Sequence, residues 1–241
     1  MLRRPEGVHR RPEEVLRRLK QVHRRQVLTM LAGTVMAAFI PSAVFAGAYE
    51  DFIKAVKFDD ADKIKSLLQR GMDPNTIEPE RGENGLILAL REGSMKVFDV
   101  LLNARDINLD ANASNGDTAL MIAAYKGNKP AAEALLAKGA EVNRPGWTAL
   151  HYAAAAGSNE IVQLLLDKSA YIDAESPNKT TPVMMAAYGG HILTVKLLLD
   201  EGADLTLKNE LGMTAIDFAE KAEHKDIVEG LTYRLQRAGK P

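Results

Sequence analysis

Residues 146–173 read GWTALHYAAAAGSNEIVQLLLDKSAYID, and each part of that stretch has a physical reading. Thr148 stands where an N-cap belongs, its hydroxyl placed to take a proton from an orphan amide of the first helical turn. Ala149 to Ala156 are small enough to let another helix approach closely, and Gly157 can end the helix in the left-handed conformation. Ile161, Val162, Leu164, Leu165 and Leu166 then give a second helix a wide apolar stripe. Two short antiparallel helices of this kind cannot bury their own faces, so the unit needs neighbours built like itself.

The chain supplies them. Thr118 opens TALMIAAYKGNKPAAEALLAKGAEVN, Thr181 opens TPVMMAAYGGHILTVKLLLDEGADLTLKN, and Thr214 opens TAIDFAEKAEHKDIV, at intervals of 30, 33 and 33 residues. That period, with TALH at 148, TP at 181, AAxxG at 123 and 186, and LLxxGA at 135 and 198, closely resembles the ankyrin-repeat family. The resemblance implies an all-α solenoid of five to six helix-turn-helix repeats with short hairpin loops. Repeats are expected near 49–79, 80–112, 114–144, 145–175, 177–209 and 210–237. The first and last act as polar caps on the stack, and the second lacks the threonine.

Composition agrees with a packed repeat stack: of 241 residues 46% are apolar and only 5% aromatic. The net charge of -1 conceals an asymmetry, for residues 1–46 hold nine Arg or Lys against three Glu and the remainder 22 against 29. An acidic body argues against nucleic acid as a partner. Cysteine is absent, which removes thiol chemistry, disulfides and cysteine-based metal sites.

Residues 1–46 are expected to be a basic leader and export signal. Arg pairs recur every seven residues to Arg24-Arg25, and an uncharged apolar run then extends from Val27 through Ala48. Small residues allow cleavage after Ala46 or Ala48, leaving a domain of 47–241; an uncleaved anchor helix is the alternative, and would be the chain's one membrane contact. Arg24-Arg25-Gln26-Val27-Leu28 resembles the twin-arginine motif, although His23 and Thr29 depart from it. That route is placed ahead of the general secretory one, and the periplasm is the expected destination.

One departure from the period is informative. From Gly139 to Thr148 is nine residues where the next two repeats use twelve, so the loop AEVNRPGW has lost three. Pro145 and Gly146 make a tight turn there, with Trp147 beside it. Ser169 stands where Gly71, Gly139 and Gly202 stand.

The resemblance also implies that binding residues lie at the hairpin tips and at the ends of the first helices, on one concave face. Those positions hold Tyr125, Trp147 and Tyr188, with Arg91, Lys126 and Met213 in the same rows and Ala155 and Ala156 as a small patch between the tyrosines. Aromatic anchors round a shallow depression are what interfaces use. His151 in TALH reads as a structural hydrogen-bonding residue; His191 and His224 read as surface or capping residues, and the hairpin aspartates Asp173 and Asp204 as structural. No sequence motif for catalysis, phosphate or metal is present, so neither enzyme activity, a cofactor nor a small-molecule substrate is expected. The expected role is an exported, non-enzymatic scaffold binding another protein. The alternative is an inhibitor or immunity-type protein, whose acidic concave face would occlude a basic target enzyme.

Overall fold

The computed structural model describes residues 42–237 and Gly239. Regular structure among them is twelve helices and one isolated antiparallel bridge, Ile77 with Asn84. The helices form six pairs. These are α1 (Ser42–Lys57) with α2 (Ala61–Gln69), α3 (Gly85–Glu92) with α4 (Met95–Leu102), and α5 (Ala119–Tyr125) with α6 (Lys129–Ala137). The others are α7 (Ala149–Ala155) with α8 (Asn159–Asp167), α9 (Pro182–Tyr188) with α10 (Ile192–Asp200), and α11 (Ala215–Lys221) with α12 (Lys225–Arg237). From residue 47 onward they build an all-α ankyrin solenoid. First helices α3, α5, α7, α9 and α11 pack on one another in sequence, and each packs on its own second helix.

The layers differ because their side chains differ. First helices are buried through alanines, among them Ala123, Ala124, Ala153, Ala154, Ala186 and Ala187, which permit close backbone approach; second helices bury Leu101, Leu135, Leu165 and Leu198. From α3 onward each first helix starts on a polar cap residue. Asn84 Oδ1 accepts from the Ile87 amide at 3.0 Å, so asparagine does in the second repeat what Thr118 and Thr214 do in the third and sixth. Thr118 Oγ1 accepts from Met121 at 3.4 Å, and Asp217 closes a reciprocal box with Thr214.

Second helices begin on a residue that often reaches into the preceding repeat. His191 donates from Nε2 to the Ala155 carbonyl at 3.0 Å, and His224 does the same to Tyr188 at 3.1 Å. These rings lie against Gly157 and Gly190, both at positive φ, where a Cβ would come within 2.5 Å of the imidazole. Ser169 adopts φ +62 without being glycine.

Hairpin tips close on backbone bonds at 78–83, 113–117, 176–180 and 209–213. Where two tips are neighbours they are tied, Ser114 N–H to the Arg81 carbonyl at 2.8 Å and Glu210 N–H to Asn178 at 3.0 Å. The shortened loop before α7 forms no such tip, and the next tip carries Pro177 at the donor position. The first tip, which has no predecessor among the described residues, carries Pro79 there. Proline thus sits where a proton would have no acceptor, and an amide sits where it has one. Pro177 packs instead toward Gly146.

Arg24 and Arg25 lie outside the described residues. Both expected cleavage points, after Ala46 and after Ala48, fall within α1. Among the described residues no helix is long and apolar enough to cross a membrane.

Candidate functional site

The short loop before α7 brings Trp147 directly onto the first helices. Its indole meets the His151 ring edge to face at 5.2 Å. His151 is fully buried and fixed from both sides: Nδ1 lies 2.9 Å from Thr148 Oγ1 and 3.2 Å from its amide, and Nε2 lies 2.9 Å from the Thr180 carbonyl. A carbonyl can only accept, so Nε2 carries the proton and Nδ1 receives. Burial lowers the ring's pKa to about 4, against the opposing pull of the Thr180 and Ala174 carbonyls, and keeps the imidazole neutral.

Beside this pair stands Tyr152, one helical turn beyond Thr148. Its ring packs edge to face on Tyr125 at 6.3 Å, and its hydroxyl donates a short hydrogen bond to Asp117. Burial first, then the bond and charge of Asp117, push the phenol pKa well up and hold it protonated. Tyr125, Trp147, His151, Tyr152, Ala155 and Met185 line an open hollow of about 240 Å³. Three successive repeats contribute to it, so its shape is fixed by how the repeats stack.

Under the hollow runs a charged network. Glu83, 1% exposed, meets Arg91 Nε at 2.5 Å; Arg91 Nη2 reaches Asp117 Oδ2 at 3.4 Å; Asn115 Nδ2 donates to the same oxygen at 2.8 Å. Arg144 extends from the short loop across the gap in the hairpin row, its Nη1 donating to Asn112 Oδ1 at 2.7 Å and to the Gly116 carbonyl at 3.3 Å.

The expected binding residues therefore divide. Tyr125, 57% exposed, and Trp147, partly buried, converge on the hollow with Ala155. Tyr188 does not join them; half exposed, it packs edge to face on Phe218 at 6.3 Å, so the three aromatics form two separate patches. Arg91 is committed to Glu83 and Asp117. Lys126 is exposed at the C-cap of α5, and Met213 closes the last hairpin tip, half buried. Ala156 caps α7 outside the hollow.

Tyr152 and Met185 are site residues that the threonine-based count passed over. Both lie four residues past a cap, in the row Leu88, Ile122, Tyr152, Met185 and Phe218, where a large residue recurs and only one is polar. Among the described residues no group of three or more His, Cys, Asp or Glu is placed to hold a metal ion. A larger cleft of about 940 Å³ opens elsewhere, between α10 and α12.

The chain belongs to the ankyrin-repeat family: the family model for three copies of the repeat matches residues 52–145, 106–176 and 150–237. It is similar to human transient receptor potential cation channel subfamily A member 1, 32% identical over 165 residues that make up 63% of this chain and 14% of the channel subunit. Human SH3 and multiple ankyrin repeat domains protein 2 is 35% identical over 160 residues, 64% of this chain and 9% of that protein. Human neurogenic locus notch homolog protein 1 is 32% identical over 188 residues, 76% and 7% respectively. The chain thus spans only 7% to 14% of the length of these relatives. Ankyrin repeats generally mediate protein–protein interaction, so a protein partner is the function class the family defines.

Proposed function

We propose that this chain is a non-enzymatic scaffold that seats a partner protein in the hollow formed by Tyr125, Trp147, Tyr152, Ala155 and Met185, and that it does so after export to the periplasm. The observation that carries the binding reading is the hollow itself, an aromatic-walled depression on a stack whose stiffness lowers the ordering that association requires. Export rests on the leader of residues 1–46, its Arg24-Arg25 pair and its apolar run. The scaffold reading is favoured over the inhibitor one because two carboxylates of this face, Glu83 and Asp117, are buried against Arg91 and face no target.

A photo-crosslinking amino acid placed at Tyr125 in cells should give one discrete adduct with a partner, whereas the same residue at Tyr233, equally exposed on α12, should give none. Adducts from Tyr233 alone would move the interface to the other cleft. Mass spectrometry of the purified chain's amino terminus tests export: a start at Gly47 or Tyr49 supports it, and an intact Met1 counts against it.

A further inference from the structure

We propose that the gap in the hairpin row selects the partner's chemistry: the occupant is an extended, acidic segment that places a carboxylate on Arg144 and an adjacent apolar side chain in the hollow. This rests on the binding reading above and adds the class of segment bound.

Arg91 and Arg234 are each held by carboxylates, Glu83 with Asp117 and Asp200 respectively. Arg144 is not: its Nη1 meets only the uncharged Asn112 amide and Gly116 carbonyl. Nε and Nη2 of a guanidinium are further donors in the same plane, a fork that matches a carboxylate. Lys126, exposed beside Tyr125, is likewise in no ion pair among the described residues. Glu83 and Asp117 are buried against Arg91, so the edge of the aromatic hollow carries two cations, Arg144 and Lys126, that are in no ion pair among the described residues.

The backbone says which conformation fits. Arg81 and Asn178 each give their carbonyl to the next tip, and Asn115 holds the same place in the tip of 113–117, facing the gap where no tip follows. On the far side Pro177 offers no proton. The slot therefore presents an acceptor and asks for a donor. A helix has spent its amide protons internally; an extended chain has them free, as in strand addition to a sheet edge.

The test is selection of displayed random twelve-residue peptides on the full chain, followed by titration of the enriched sequences against variants. Enriched peptides should carry Asp or Glu next to an aromatic or aliphatic residue. Their Kd should rise about tenfold or more for Arg144→Gln, which keeps an amide donor for Asn112 while removing the charge, and should rise with salt. Arg105→Gln, a fully exposed arginine elsewhere, should leave Kd unchanged. Basic or uncharged enriched peptides, or full binding by Arg144→Gln, would overturn the inference. If Trp147→Ala abolishes binding in that case, the hollow stands and only the acidic segment falls; if Trp147→Ala also binds normally, the hollow itself falls. Circular dichroism and melting of each variant exclude loss of fold as the cause.

Discussion

The two halves of the stack are joined by different chemistry. Between the second and fourth repeats the link is ionic, running from Glu83 through Arg91 to Asp117 and on to the Tyr152 hydroxyl. From the fourth repeat to the sixth the first helices are linked through imidazoles, His151, His191 and His224 donating to carbonyls of adjacent repeats, while the ion pair of Arg234 with Asp200 joins the last two second helices. Charges can be gathered under the concave face only if each has a partner, which makes the first half intolerant of single changes. The buried His151 imidazole depends on pH, and the His191 and His224 rings depend on the glycines that make room for them.

The largest expected effect strikes the ionic half. Arg91→Met strands the Glu83 carboxylate, and urea unfolding should show a loss of about 3 kcal/mol. The double variant Glu83→Leu/Arg91→Met should recover part of it, since the stranded carboxylate is then gone and Asp117 keeps the Asn115 amide and the Tyr152 hydroxyl as donors. A single variant as stable as the parent would show that the network contributes nothing.

Acid separates the halves. His151 is held neutral by a pKa of about 4 where an unfolded histidine has about 6.5, so the unfolded chain binds the proton first. The stability from this group is complete above pH 6.5 and declines by about 3 kcal/mol as pH falls to 4. Carboxylates contribute their own acid slope, so the measurement is the difference between the parent and His151→Asn across that window. His151→Asn should be less stable at pH 7 yet flatter below 6.5, and parallel curves would refute the assignment.

A smaller loss, about 2 kcal/mol, is expected for Gly157→Ala, because a left-handed φ of +68 and a contact of 2.5 Å with the His191 ring act together. If thermal melting shows no change, the His191 pin is dispensable. Smallest, and opposite in sign, is Ser169→Gly: relief of its φ of +62 should exceed the added freedom of the unfolded chain and stabilise by about 0.5 kcal/mol.

These differences also mark how far the sequence could be read. Local periodicity and capping are written in neighbouring residues, so the threonine caps, the helix pairs and the short loop at Trp147 were all legible. Relations across repeats were not. Glu83 occupies a hairpin position that reads as exposed, and only its meeting with Arg91 in space explains why it is buried. Tyr125 and Tyr188 share a register, and the large residue four past the next repeat's cap decides which aromatic neighbour each finds, Tyr152 for one and Phe218 for the other. The meaning of Pro79 and Pro177 depends on whether another tip lies alongside, a fact that no window of sequence contains.

Those prolines bear on growth of the stack. Any array of like units has an end surface resembling its interior, and head-to-tail addition of copies would extend without closing. In the last described tip Leu211 is an exposed residue, and its carbonyl holds the place where Arg81 and Asn178 accept. A second copy adding there would bring its own first tip, and with it Pro79, which has no proton to give. A head-to-tail copy would therefore find no amide proton at that point of the hairpin row, and a Pro79→Ser variant would supply one.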